Sequence, residues 1–285
     1  MEGLLDWYAE NRRNLPWRAP DTTPWGVLVS EVMLGQTPVA RVEPVWTQWL
    51  QRWPLPESLA AESPAEVIRA WGRLGYPRRA LRLHASAQII ARDHRGVVPS
   101  TYPELRALPG VGDYTAAAVL AFAYQQRATV LDTNVRRVLA RHEVGVALPA
   151  QSVGAAERRL AESLLPISPP IAARWSIAVM ELGALVCSAA APRCMACPLR
   201  TTCTWRQLGS PAYAGPARRA QSFAGTDRQV RGLLLHLLRD STESLPKSVL
   251  DSAWPDHDQV ERALDSLISD GLVEIGDGDS YRLPR

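Results

Sequence analysis

Leu108-Pro109-Gly110-Val111-Gly112 lies between two stretches of helical character. The glycines let the backbone turn tightly and come close to another object. Amide groups opening the next helix can then face a phosphate. Most such turns merely join helices, so this one takes its meaning from its surroundings. Working outward, apolar residues recur at helical spacing from Leu4-Leu5-Tyr8-Ala9 onward. The periodicity predicts helices over 24–35, 38–52, 64–73, 77–94, 101–107, 113–123, 134–142, 152–164 and 170–185. Prolines punctuate them, and no alternating strand pattern occurs before residue 225. Many helices with short connections imply an all-α bundle.

Residues 206–226 read as a linker, through Gly209-Ser-Pro, Gly215-Pro and Gly225-Thr. Beyond it, helices are expected over 227–240, 246–252 and 256–269. A strand over 272–275, a turn at Gly276-Asp-Gly-Asp279 and a strand over 280–283 follow. This order suggests a small α+β module resembling a winged helix.

The 285 residues carry 32 Lys+Arg against 29 Asp+Glu. Lys247 is the only lysine, so no lysine in residues 1–225 is available to form a Schiff base. Residues 1–225 hold 25 arginines against 17 acids, and residues 226–285 hold 7 basic against 12 acidic side chains. A basic block suited to phosphates is thus joined to an acidic tail. The acidic balance argues against the tail being a strong electrostatic clamp on DNA. Apolar runs stop short of the roughly 18 residues needed to span a membrane, and Met1–Arg12 lacks the look of a secretory signal. A cytoplasmic protein with no membrane partner is expected.

All four cysteines fall in one segment, as Cys187-x6-Cys194-x2-Cys197-x5-Cys203. Four thiolates this close can wrap a compact metal centre. Structural zinc takes four cysteines, and so does a 4Fe–4S cluster. Zinc knuckles usually supply two close pairs, and only Cys194–Cys197 is one. The spacing tilts toward iron–sulfur and leaves zinc open.

Two carboxylates stand out. Glu31 lies in Pro24–Leu34, a helix apolar on nearly every face, where lost hydration favours the neutral acid. That is the form a general acid needs. The plainer alternative is a buried glutamate paired with an arginine. Asp132 follows Ala128–Leu131 and precedes Thr133-Asn134-Val135, a position common for helix N-caps. Its functional reading is a carboxylate kept ionised by helix-start amides. One neutral and one charged carboxyl group are what glycosidic hydrolysis requires. Trp25, Trp46, Trp49, Trp53 and Trp71 recur at helical spacing and read as core.

Taken together, the turn 108–112, Asp132 and the four-cysteine loop resemble the helix-hairpin-helix DNA glycosylases related to endonuclease III. Leu-Pro-Trp-Arg (15–18), Ser-Glu-Val-Met-Leu (30–34), Gln36-Thr37, Leu-Gly-Tyr (74–76), Leu-Asp-x-Asn-Val (131–135) and Glu-Leu-Gly-Ala (181–184) resemble the MutY-type adenine glycosylases within them. The likeness covers about residues 4–205. It implies a 4Fe–4S cluster on Cys187, Cys194, Cys197 and Cys203. It implies Glu31 as the acid that protonates a flipped adenine, and Asp132 as the group that stabilises the oxocarbenium-like state. Tyr114 stands where lyase-competent relatives carry a catalytic lysine, so a monofunctional glycosylase is expected. Asn134 would support the Asp132 side of the pocket. Gln36 and Thr37 would probe the stack beside the opposing base, and Gly110, Val111 and Gly112 would clamp a phosphate. The expected organisation is a glycosylase domain over 1–205, with a six-helix barrel at 23–130 and a cluster subdomain from 1–22 and 131–205. A linker at 206–226 and a module at 227–285 complete it.

Two positions and the tail depart from the MutY-type pattern. Gly35 replaces a usual glutamine, Ile177 replaces a frequent Gln or Glu, and the tail is too short for the usual Nudix-like domain. The expected partner is duplex DNA with adenine mispaired with 8-oxoguanine or guanine, bound by a monomer. The alternatives are a thymine or uracil mismatch glycosylase acting opposite guanine, and a non-catalytic iron–sulfur DNA-binding regulator.

Overall fold

The computed structural model describes residues 3–216 and 223–285. The chain is mostly helical, as the periodicity implies. Helix ends fall within about three residues of those read from the sequence, and two short helices, Pro56–Ala60 and Thr204–Gln207, were not anticipated. Both are too brief to show a 3.6-residue period. No described helix is long and apolar enough to cross a membrane. Residues 217–222 of the expected linker lie outside the described residues.

The chain divides into two compact units. The first comprises Met1–Glu31, Ser100–Ala107 and Val111–Ala217, and the second comprises Val32–Pro99, Leu108–Gly110 and Arg218–Arg285.

In the first unit, helix Leu4–Asn11 places Leu4 and Tyr8 against Val138, Trp175, Leu182 and Leu199. Helix Asp113–Tyr124 presents Ala117, Ala118 and Ala121 to Ala173 of helix Pro169–Leu185. Side chains this small let two backbones come close, which is how the long helix reaches the residues that follow the hairpin. Asp132 starts helix Thr133–Leu139, which runs on through a π-helical turn, Ala140–Val144.

The second unit holds an aromatic core. Trp49 meets Trp53 and Trp71 edge-on at centroid distances of 4.7 and 5.8 Å. These tryptophans are buried, as are Trp25 and Trp46, in keeping with their reading as core. The tail belongs to this unit. Val230, Leu234 and Leu238 of helix Asp227–Asp240 and Val260, Leu264 and Leu267 of helix His257–Ser269 share one core with Ile68, Leu272 and Tyr281. The hairpin pairs Glu274 with Arg282 and Ile275 with Tyr281. A third strand, Leu245–Pro246, adds to the far side of Ser280–Arg282. Two residues show no alternation, so sequence reading placed 246 in a helix instead.

Candidate active site and metal centre

Both chemical carboxyl groups lie in the first unit. Glu31 is 6% exposed. Burial pushes its carboxyl up to about 7, against the downward pull of the Tyr114 hydroxyl and Arg18, with Asp132 adding to the rise. Tyr114 Oη donates to Glu31 Oε2 at 2.8 Å. Tyr114 is the second residue of the helix that Gly112 caps, so the hairpin turn aims it at Glu31. Burial first, and then Glu31 and Asp132, hold its hydroxyl well above the usual phenol range. It therefore stays a neutral donor.

Asp132 is the N-cap of Thr133–Leu139. Its Oδ1 accepts from the Val135 amide at 2.6 Å, and its Oδ2 accepts from Asn134 Nδ2 at 2.7 Å. Burial raises its pKa, while these donors and Arg137 oppose the rise. The amide that satisfies the helix start thus also favours the ionised form of the carboxylate, so capping and chemistry coexist in one geometry. Arg137 Nη2 donates to Asn134 Oδ1 at 2.8 Å and to the Gly183 carbonyl at 2.7 Å. A Cβ at Gly183 would sit 2.7 Å from Asn134 Cβ. Only glycine lets the long helix approach the Asp132 cap this closely.

Glu181 and Arg18 stand within the motifs Glu-Leu-Gly-Ala (181–184) and Leu-Pro-Trp-Arg (15–18), whose spacing announces no role for either. Glu181 is fully buried. It accepts from Arg13 Nε and Nη2, each at 2.8 Å, and from Arg18 Nη1 at 2.9 Å. Burial would raise its carboxyl, but Arg13 and Arg18 overcome that and bring it to about 2. The signal was present in the sequence: one acid in an apolar helix, and two arginines in a loop.

The expected DNA-contact residues sit as follows. Gly110 has φ +80°, and a Cβ there would meet Arg82 Cβ at 2.9 Å, so conformation and space both require glycine. Val111 is buried while Gly110 and Gly112 are exposed, so the turn is anchored by its valine and presents its glycine backbone. Gln36 is exposed with φ 63°. Thr37 is buried: its hydroxyl donates to the Leu74 carbonyl at 2.9 Å and accepts from Arg79 Nη2 at 2.9 Å. Its side chain therefore fixes the Gly72–Pro77 loop instead of facing outward. That loop displays Tyr76, 48% exposed with φ 49°, a costly conformation for a tyrosine.

The departures gain physical reasons. A Cβ at Gly35 would lie 3.1 Å from Arg79 Nη1, which donates to the Val32 and Met33 carbonyls at 2.7 and 3.0 Å. Arg79 caps the end of the Glu31 helix across the space a larger residue would take. Ile177 packs against the first unit's core.

The four cysteines are half-buried. Burial first pushes the Cys197 thiol up to about 11, and the neighbouring Cys187, Cys203 and Cys194 add to the rise. Arg141, from the π-helical turn, places Nη1 3.3 Å from Cys187 Sγ and holds the Ser188 and Ala189 carbonyls at 2.7 and 3.0 Å. Among the described residues, no group of three or more ligating side chains is close enough to hold a single metal ion. The donor chemistry, four neighbouring thiols framed by Arg137 and Arg141, fits an anionic metal–thiolate centre.

Residues 29–166 match the HhH-GPD superfamily base excision DNA repair protein family. The chain is 53% identical over 275 residues to an adenine DNA glycosylase of Mycolicibacterium smegmatis, covering 95% of this chain and 91% of that protein. It is 51% identical over 282 residues to an adenine DNA glycosylase of Mycobacterium tuberculosis, covering 99% and 92%. Among solved structures it resembles a thermostable thymine-DNA glycosylase, with a TM-score of 0.64 and 26% identity over 72% of this chain and 94% of that one.

Proposed function

This chain belongs to the HhH-GPD superfamily of base excision DNA repair proteins and, within it, to the adenine DNA glycosylases, and from that premise we propose that it hydrolyses the N-glycosidic bond of adenine mispaired with 8-oxoguanine or guanine. The observation that carries this reading is the pair of unlike carboxyl groups, Glu31 held by the Tyr114 hydroxyl and Asp132 held by the Val135 amide and Asn134. Glu31, with its carboxyl near 7, holds a proton to give to the departing base. The developing positive charge on the sugar falls to Asp132, whose donors favour the carboxylate. Water completes the substitution and leaves an abasic site. A duplex adenine is out of reach of both groups, so it must first be extruded, at a cost of about a few kcal/mol. The exposed glycine backbone at 110–112 suits a DNA phosphate, and Gln36 and Tyr76 suit the stack beside the opposing base.

Tyr114 cannot form an imine, and Lys247 is engaged with Asp251 at 3.1 Å in the C-terminal module. Both support a monofunctional enzyme. Cys187, Cys194, Cys197 and Cys203 would hold a 4Fe–4S cluster, which spans more space than one ion and tolerates thiols that do not converge on a point. When bound, it would cross-link the loop through four thiolates. The enzyme acts as a monomer on duplex DNA in the cytoplasm, at the nucleoid.

A panel of duplexes containing A:8-oxoguanine, A:G, T:G and U:G, developed with alkali, tests the reading. Base release is expected from the two adenine mispairs and is lost in Glu31→Gln. Release from T:G or U:G alone would replace it with the pyrimidine mismatch reading. Strand scission without alkali would overturn the monofunctional assignment. Iron and acid-labile sulfide in a brown preparation are expected, and a colourless zinc protein would overturn the cluster.

A further inference from the structure

A buried glutamate in an arginine-rich chain ordinarily pairs with a guanidinium and stays ionised. Glu31 does not, although Arg18 is near enough to pull on its charge. Arg18 also favours ionisation of Tyr114, the phenol bonded to Glu31, so its guanidinium acts on both members of that pair. Three groups from three elements act on the Glu31 carboxyl. They are Tyr114 of helix Asp113–Tyr124, Arg18 of the turn Pro16–Arg18, and Asp132 at the cap of Thr133–Leu139. Only Arg18 could turn it into a salt-bridged carboxylate.

A second carboxylate holds Arg18. Glu181 Oε2 accepts from Arg18 Nη1 at 2.9 Å and from Arg13 Nη2 at 2.8 Å. Its Oε1 accepts from the Arg13 amide at 2.9 Å and from Arg13 Nε at 2.8 Å. A carboxylate offers about four acceptor sites, and these four donors fill them. Glu181 is fully buried on helix Pro169–Leu185, so its position is fixed by packing as well as by bonding. The Arg18 side chain is only 17% exposed. Without Glu181 it would keep its charge in a largely dry site, and the carboxyl it already acts on would be its remaining counter-charge.

We propose that Glu181 is a positioning residue for catalysis: by binding Arg18 it withholds that guanidinium from Glu31 and so keeps the general acid protonated until the flipped base arrives. The inference rests on the reading of Glu31 as the acid. A role confined to tying the Arg13–Arg18 loop to the long helix would change stability and leave the Glu31 proton where it is.

Carbon NMR of the full chain labelled at the glutamate carboxyl carbons follows the Glu31 titration directly, with Glu31→Gln assigning its resonance. The unmodified protein should show a midpoint near pH 7. Glu181→Gln should lower this midpoint by about one pH unit or more, because an opposite charge within about 4–6 Å favours the ionised form. Arg18→Met should raise it. The double variant should follow Arg18→Met, since no guanidinium remains to be withheld. Single-turnover base release should move in parallel: the rate that Glu181→Gln loses near pH 8 should return as pH is lowered, which misfolding does not produce. A midpoint that stays or rises in folded Glu181→Gln would overturn the proposal. If that variant does not fold, Arg18→Met decides: an unmoved midpoint there would leave Glu181 nothing to withhold and overturn it equally. The titration needs no substrate. A protein that releases no adenine would therefore fail the glycosylase reading, while the midpoints still decide the hold on Arg18.

Discussion

Two glutamates of the first unit move in opposite directions for reasons visible around each side chain. Glu31 has one phenol as its hydrogen-bond partner and rises to about 7, whereas Glu181, with two arginines, falls to about 2. A proton is thus available at Glu31, and its protonated fraction declines as pH passes about 7. Single-turnover base release should therefore fall above that pH. Because the Tyr114 hydroxyl donates to the ionised carboxylate and holds its pKa down, Tyr114→Phe should move this descending limb to higher pH. An unmoved limb would remove Tyr114 from control of the acid. Asp132→Asn separates cap from charge. Asparagine also caps helices, so circular dichroism should be unchanged while base release drops by about a hundredfold or more. An Asn variant with near-native activity would leave Asp132 a cap alone.

At the scale of elements, Glu181 ties the loop carrying Arg13 and Arg18 to helix Pro169–Leu185. Its ordinary value is 4.5 and its folded value about 2, so its contribution to stability is complete above pH 4.5 and is lost as pH falls through about 2. Glu31 has the reverse sign: its preference for the neutral form favours folding below 4.5, and this is lost as pH rises through about 7. Glu181→Gln leaves two arginines facing a neutral amide and should cost about 3–5 kcal/mol in urea unfolding. A change under 1 kcal/mol would mean the arginines find water instead. The helices themselves were legible because each long one carries a strong apolar period. The strand Leu245–Pro246 and helix Pro56–Ala60 were not, because two and five residues are too few to display one. The resemblance sets Thr37 with Gln36 beside the opposing base, and in the fold its buried hydroxyl bonds the Leu74 carbonyl. No local pattern announces a hydrogen-bond partner 37 residues away.

For the whole molecule, the tail and the helices of residues 32–99 share one compact unit, since Ile68 is in the core of the C-terminal module and Leu81 packs against it. Arg69 reinforces this with bonds to the Arg239 and Ser241 carbonyls at 3.2 and 2.8 Å. A chain truncated after residue 225 should show a lower Tm and more aggregation than the full protein, because it uncovers Ile68 and its neighbours. Equal thermal stability would make the module an independent appendage.

The sequence alone fixes the helical class, the turn at 108–112, the grouping of all four cysteines between 187 and 203, and the lack of a lysine in residues 1–225. Those follow from local spacing and from counting, which need no partner in space. Which groups act on one another is set by the folded chain: Tyr114 on Glu31, Arg13 and Arg18 on Glu181, and Asn134 against Gly183. Protonation depends on distance and on burial, and Arg13 and Glu181, which set one another's, stand 168 positions apart in the chain.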